Sequence, residues 1–300
     1  MEGMISGALS FVKGHPYLFT NVCSLIICLL TACLLGRPGR LIILGGLLST
    51  PSFYLIALFE NEYWNPVRIW GWVVGIEDVL CSFDVGAMAL IPCACMFGRR
   101  LLWNEGRRTV LLRYFFLGAL NSVLFLVLVF MGLGGMTSLV LTYLLMMAIL
   151  QIVRWRLWPL SVAGLLGFTF IYYVIVRVYF WYWPDFINQW NFGSIWGRPV
   201  AGLPLGEIAW AGAFGFFWPL FVGYVLEARL IPQLGSSICS EQSGTVADSR
   251  TGVACEEIVL KRAERSRLGF DELSRAETLS LRGLPEDASP SNSKGSLFRK

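Results

Sequence analysis

Histidine, lysine and aspartate are scarce in this chain, and their scarcity excludes several kinds of site. The only histidine is His15, so metal centres and catalytic triads built on histidine are nearly excluded. Of the 24 basic residues, 20 are arginine and four are lysine. No lysine lies in a long apolar segment, which excludes a retinal Schiff base. The chain also lacks a GxGxxG or Walker motif, so it has no nucleotide-binding signature.

Charged residues make up only 15% of the chain, whereas 56% of its residues are hydrophobic. The apolar residues are concentrated in runs of about 20, the length that a helix needs to cross a bilayer. We therefore predict an all-α integral membrane protein with seven transmembrane helices. The predicted spans are 17–36, 41–59, 73–97, 114–131, 136–153, 157–179 and 204–228. Six of the eight cysteines lie in such runs, where free thiols act as small hydrophobic groups.

The arginines support seven spans, because this number places most of them on one side of the membrane. They follow the first, third, fifth and seventh spans, and the richest cluster lies between 98 and 113. The positive-inside rule then predicts a multi-pass protein with its N-terminus outside and its C-terminus in the cytoplasm.

A short motif, WN-x3-IWG, occurs twice. Residues 64–71 read WNPVRIWG and residues 190–197 read WNFGSIWG. Each copy precedes a span that carries carboxylates near its start. We therefore predict two parallel three-helix repeats joined by a linker helix. The predicted organisation is an N-terminal segment (1–16), a first three-span repeat (17–97), a basic loop with the linker span (98–135), a second repeat (136–233) and a polar, disordered cytoplasmic tail (234–300).

The carboxylates in these spans are Glu77, Asp78 and Asp84 in the third and Glu207 in the seventh. Carboxylates in membrane spans are costly and usually functional, and a buried carboxylic acid that stays neutral can donate a proton. Arg177, inside the sixth span, is the predicted cationic partner. The alternative is that the acids only pair with arginine and hold helices together. Aromatic residues dominate the last two spans, where ring faces could stabilise a carbocation.

At these residues the chain resembles the membrane-integral lycopene cyclase domain family. In that family the last span of each half opens with a Pro-x-Glu-Glu/Asp motif. The second copy here, 204–207, keeps the proline and the final acid, whereas the first, 75–78, keeps both acids and has Gly75 in place of proline. The resemblance covers roughly 17–230 and leaves the tail unexplained.

The resemblance implies cyclisation of a linear carotenoid end group without net redox change and without a cofactor or metal. A carboxylic acid protonates the terminal alkene, the cation closes a ring, and a base removes a proton. It implies Glu77 and Glu207 as acid and base, with Asp78 as a further catalytic residue. Six residues are then expected at the substrate: Asp84, Arg177, Trp70, Trp196, Trp210 and Phe214. The expected partners are an isoprenoid or carotenoid substrate, the lipid bilayer and other enzymes of carotenoid synthesis, and no nucleic acid.

Other functions remain open. A membrane transporter, or a non-catalytic scaffold with a buried acidic site, would also be consistent with parallel repeats and acids in the spans. A Mg²⁺-dependent prenyltransferase is disfavoured, because that chemistry needs clustered aspartates. The only aspartates before the tail are Asp78, Asp84 and Asp185.

Overall fold

The computed structural model of the chain describes residues 10–59, 63–103, 107–193 and 195–231. The predicted tail at 234–300 lies outside the described residues, so its predicted disorder stays a prediction. The described part is mostly helical. Its helices are α1 (Pro16–Leu35), α2 (Gly39–Ser49), α3 (Ile76–Phe97), α4 (Arg107–Phe130), α5 (Gly135–Val153), α6 (Trp158–Tyr182) and α7 (Leu205–Val225).

Short elements connect these helices. A 3-10 helix, Thr50–Phe59, continues α2, and shorter ones lie at Trp155–Leu157, Pro184–Gln189 and Ile195–Gly197. Four two-residue strands form two antiparallel pairs. Strand β1 (Leu101–Leu102) pairs with β4 (Arg229–Leu230), and β2 (Pro199–Val200) pairs with β3 (Leu203–Pro204).

Seven helical segments among the described residues are long and apolar enough to cross a bilayer. The predicted number of spans is therefore confirmed, and the chain is a multi-pass membrane protein. The largest difference in bounds is at α4, which begins at Arg107 instead of 114. Hydropathy marks only the apolar part of that helix, whereas its first turns carry arginines. The second span changes from α-helix to 3-10 helix at Thr50, next to Pro51, which has no N–H to donate along the helix.

The connections between helices gather at two ends of the bundle. At one end, which we call the arginine end, Arg100 donates to the Ile231 carbonyl at 3.2 Å and β1 pairs with β4. At the other, the motif end, Trp196 donates to Thr137 at 2.9 Å and Trp64 pairs with Trp190. The arginines that follow odd-numbered helices and the two motif copies therefore lie at opposite ends of the bundle.

Helices α3 and α7 carry the acids, and close glycine contacts hold both of them in place. Helix α3 packs against α1, α2 and α6, and α7 packs against α5 and α6. A β-carbon at Gly86 of α3 would lie 2.7 Å from the Gly45 carbonyl oxygen of α2. One at Gly215 of α7 would lie 2.6 Å from the Gly164 carbonyl oxygen of α6. Real β-carbons do not approach so closely, so these backbones touch only because both partners are glycine.

The α6–α7 contact leads to a stability prediction for Gly164→Ala. The added β-carbon would lie 2.2 Å from the Gly215 carbonyl oxygen and 2.5 Å from Pro219 Cγ. We expect a loss of about 1–3 kcal/mol, because the helices must separate to relieve the overlap. Gly212→Ala, on α7, is the matched control, since its β-carbon would have no neighbour closer than 3.6 Å. Thermal unfolding of the purified protein measures both variants, and equal melting temperatures would contradict the close contact.

Candidate active site

The two motif copies contact each other at the motif end. The Asn65 amide donates to the Gln189 carbonyl at 2.9 Å, and the Asn191 amide donates to the Tyr63 carbonyl at 2.9 Å. Between these bonds, the rings of Trp64 and Trp190 stack with centroids 5.7 Å apart. The first residues of the two copies thus form a reciprocal pair. The predicted parallel repeats would place both copies at the same membrane interface, but the sequence did not show that they are in contact.

A cavity of about 140 Å³ lies beneath this tryptophan pair, between the two halves of the chain. Both halves contribute to its wall. Residues from the first half include Ser49, Tyr63, Trp64, Cys81 and Ser82, and residues from the second include Tyr143, Tyr172, Trp190, Glu207, Trp210 and Phe214. The wall is mostly apolar and aromatic, and Glu207 supplies the only carboxylate among the described residues that line it.

Glu207 is held by three hydrogen-bonding side chains. Tyr63 donates to Oε1 at 3.0 Å, Trp190 Nε1 donates to Oε1 at 2.8 Å, and the Tyr172 hydroxyl bonds to Oε2. Helix α7 begins at Leu205, so Glu207 lies in its first turn, where the helix dipole favours a negative charge. These contacts leave Glu207 7% exposed and fix the direction of its carboxyl group.

The partners of Glu207 also specify where a proton can be. An indole N–H can only donate, and Trp190 therefore requires Oε1 to accept. Burial and the adjacent Glu207 raise the pKa of the Tyr63 phenol above its usual value, so Tyr63 remains a donor to Oε1 at neutral pH. Oε2 accepts from the Tyr172 hydroxyl, and that hydroxyl can accept instead when Oε2 carries the acid proton. The Oε2–Tyr172 pair is thus the position at the cavity wall that can release or take up a proton.

Asp78 forms the second buried polar cluster, behind the cavity wall. Its Oδ2 accepts from Arg68 Nε at 2.8 Å and from the Gly75 amide at 2.7 Å. Its Oδ1 accepts from the Tyr17 hydroxyl at 2.9 Å. The Tyr17 phenol also lies beside the thiol of Cys81, which lines the cavity. Asp78 therefore reaches the cavity only through other side chains.

Glu77 is buried at the start of α3 but does not line the cavity. Its Oε1 accepts from the Ile69 amide at 2.8 Å, and its Oε2 has no hydrogen-bond partner within the described part of the chain. A β-carbon at Gly75 would lie 2.3 Å from that Oε2. Gly75 thus makes room for the Glu77 carboxyl to fold back over the helix start.

Asp84 lies two turns further along α3 and is 1% exposed. Neither carboxylate oxygen has a hydrogen-bond partner among the described residues. Cys28 on α1 and Tyr179 on α6 are near enough to interact with it electrostatically. A charged carboxylate in such surroundings is very costly, so this position favours the neutral acid.

The remaining predicted site residues fall into two groups. Trp210 and Phe214 line the cavity, and their rings stack at 5.6 Å. Trp70 is exposed beside Trp72, and Trp196 bonds to Thr137; neither lines the cavity. Arg177 is exposed and donates to the Gly202 carbonyl at 3.2 Å. In the described part of the chain, Arg68, and not Arg177, forms the ion pair with a buried acid, Asp78.

Sequence reasoning missed the tyrosines that hold the acids. Tyr63 and Tyr172 bind Glu207, and Tyr17 binds Asp78. Their signal in the sequence is weak, because tyrosine is common at the ends of membrane helices. Trp190 is the first residue of the second motif copy, so the recurrence of the motif was a signal for it. Arg68 occupies a variable position of the first copy, so the recurrence gave no signal for it. The recurrence could not show which acid either residue contacts.

No protein-family model, curated protein or solved structure matches this chain. The site must therefore be interpreted from its own geometry.

Proposed function

We propose that this protein is a membrane-bound cyclase of a linear isoprenoid, with a carotenoid end group as the substrate expected from the resemblance. The observation that carries the proposal is the position of Glu207. A carboxyl group with a shareable proton faces an apolar, aromatic cavity that lies between the two halves of the chain. Acid-initiated alkene chemistry needs both features together, a proton donor and walls that exclude water.

The reaction follows from these groups. Glu207 transfers its Oε2 proton to one carbon of the terminal alkene, and the other carbon becomes a tertiary cation. The electron pair of a neighbouring alkene attacks that cation and closes the ring, which moves the positive charge to a ring carbon. The Glu207 carboxylate then removes a proton from the adjacent carbon, and a new double bond forms. No net oxidation or reduction occurs, and the acid is regenerated.

The aromatic wall suits the cationic intermediate. Tyr143 and Phe214 make an edge contact at 5.5 Å, and Trp64 stacks on Trp190. Ring faces attract cations, and the attraction strengthens where water is excluded. Glu207 supplies the only carboxylate among the described residues that line the cavity. The role predicted for Glu77 would therefore require the Glu77 carboxyl group to turn toward the substrate.

The proposal includes two related repeats and a sidedness for the membrane. Two structural features support the repeats: the reciprocal pairing of the motif copies and the close glycine pairs, Gly45 with Gly86 and Gly164 with Gly215. Helix α4 would then be the linker. The positive-inside rule would place the arginine end in the cytoplasm and the motif end, with Glu207, outside.

The test is pigment analysis of a lycopene-accumulating bacterial host that expresses this chain. Conversion of lycopene to a monocyclic or bicyclic product would support the cyclase. Unchanged lycopene beside well-expressed, membrane-inserted protein would overturn the carotenoid substrate. The matched control is the same host with an empty vector.

A proton-coupled carrier is a second candidate, and Asp84 is the observation that favours it. A carboxyl buried among α1, α3 and α6 with no hydrogen-bond partner in the described part of the chain is a suitable site for a transported proton. Proteoliposomes with a pH gradient would distinguish the two functions. A carrier acidifies or alkalinises the lumen when substrate is added, whereas a cyclase leaves the lumen pH unchanged.

Tyr172→Phe tests the proton-sharing pair. The change removes the hydroxyl that bonds Glu207 Oε2 and keeps the ring that lines the cavity. We expect turnover to fall about tenfold or more, since a positioned proton-transfer group typically contributes at least that much, while substrate affinity stays within a few-fold. Turnover and apparent affinity are measured in membranes.

Tyr173→Phe is the neighbouring control, because that hydroxyl is exposed and bonds only the Ala201 carbonyl among the described groups. Equal activities of the two variants would argue against proton sharing at Tyr172.

A further inference from the structure

The cavity at Glu207 is too small for a long isoprenoid. Its volume of about 140 Å³ is close to that of an engineered cavity of about 150 Å³ that binds one benzene molecule. It therefore has room for about one six-membered ring. The rest of a linear substrate must leave the cavity, and the structure offers two grooves in which it could lie.

The first groove adjoins the cavity and shares part of its wall. It lies between the Thr50–Phe59 segment, α4 and α7 and has a volume of about 330 Å³. Four residues line both spaces: Ser52, Leu55, Tyr143 and Phe214. Its outer rim includes Tyr54 and Phe115, which are exposed on the surface that faces lipid. Helix α4 buries the smallest share of residues among the seven spans, so it lies at the edge of the bundle.

A continuous row of rings on α7 joins the two spaces. Trp210 stacks on Phe214 at 5.6 Å, Phe214 on Trp218 at 5.3 Å, and Trp218 on Phe221 at 4.9 Å. The first two rings line the cavity and the last three line the groove. From Glu207 to the end of the row at Phe221, helix α7 extends about 21 Å at the rise of an α-helix. An apolar row of this length suits an extended chain of conjugated double bonds.

The second groove connects less directly. It lies between α6 and α7 and shares only Tyr172 with the cavity wall. Tyr172 bonds Glu207 and lies between this groove and the cavity.

We infer that the groove between the Thr50–Phe59 segment, α4 and α7 binds the unreacted remainder of the substrate, a linear polyene that extends from the cavity to the lipid. The inference rests on the proposed cyclase function for the chemistry at Glu207. The groove itself is a binding site for an extended apolar chain, and its binding can be measured without turnover.

Gly118→Trp tests this site, because a β-carbon at Gly118 has no neighbour within 4 Å and the indole can fill the groove without displacing α4. Gly212→Trp is the matched control in the other groove, where the β-carbon also has ordinary space. Gly118→Leu is a smaller second variant. Each protein, in nanodiscs, is titrated with lycopene, and the induced circular dichroism of the polyene measures binding. Conversion of lycopene and of a short analogue, an end group with one further isoprene unit, is measured in parallel.

We expect wild type and Gly212→Trp to bind the polyene equally, and Gly118→Trp to bind it at least tenfold more weakly. Gly118→Trp should still convert the short analogue if the cyclase function holds. Loss of binding in Gly212→Trp instead, equal loss in both variants, or no binding by wild type would overturn the site. If wild type binds lycopene, Gly118→Trp does not, and neither converts any substrate, the groove stands and the cyclase function fails.

Discussion

Replacing Glu207 by glutamine is expected to lower ring formation by about 10²–10⁴-fold, the usual contribution of a positioned acid–base group. Glutamine has the shape of glutamate and can still accept hydrogen bonds at one oxygen from Trp190 and Tyr63, whose donors converge on Oε1. It has no acidic proton to share with Tyr172. The protein should therefore fold and bind substrate but fail to protonate the alkene. Pigment analysis of the lycopene-accumulating host gives the product, and the level of purified protein confirms folding.

Glu77→Gln is the matched control and decides between two assignments. The family resemblance implies Glu77 as acid or base, and on that assignment its replacement should abolish activity. The geometry places Glu77 outside the cavity wall, with Oε1 bonded to the Ile69 amide, so activity should be kept within a few-fold. Loss of activity in Glu77→Gln with full activity in Glu207→Gln would reverse our assignment of the reacting acid.

The buried ion pair between Arg68 and Asp78 should dominate the stability of the motif end. Both side chains are almost fully buried, 3% and 0% exposed, and Asp78 also bonds Gly75 and Tyr17. Arg68→Met leaves the Asp78 carboxylate buried without its cation, and we expect a loss of about 3–5 kcal/mol in the free energy of unfolding. Unfolding in mixed micelles with rising denaturing detergent measures the change.

Two further variants show whether the unpaired charge is the cause. The double variant with Arg68→Met and Asp78→Leu leaves no charge buried, so it should recover much of the loss. Arg113→Met breaks a second ion pair, with Glu227, whose side chains are 24% and 30% exposed. We expect that change to cost less than about 1 kcal/mol, because water already screens the pair. Similar losses in Arg68→Met and Arg113→Met would contradict the special position of Asp78.

The sequence predicted the seven spans well, because apolar runs of bilayer length report directly on membrane helices. It also pointed to the span starts at which Glu77, Asp78 and Glu207 occur, since acids in apolar runs are conspicuous. The bounds of α4 and the change to a 3-10 helix at Thr50 were missed. Hydropathy does not register arginine-rich helix starts, and it does not detect the local effect of a proline.

Which acid faces the cavity could not be obtained from sequence. Glu77 and Asp78 are neighbours in the chain, yet one folds back over Gly75 and the other pairs with Arg68. Such choices depend on helix rotation and on partners far away in the chain: Tyr17 is 61 residues from Asp78, and Tyr63 is 144 residues from Glu207. The partner of Arg177 also depends on the tertiary structure. Its position in a span suggested an acidic partner, but its guanidinium donates to the Gly202 carbonyl.

The amino-acid pattern alone thus established that this chain crosses the membrane seven times and carries its acids at the starts of two spans, since hydrophobicity and charge are local properties. Only the tertiary structure could show that Trp64 stacks on Trp190, that a cavity lies beneath them, and that Glu207 faces it. These features arise where residues more than a hundred positions apart pack together, and close packing between helices is set by side-chain shape, which no single segment encodes.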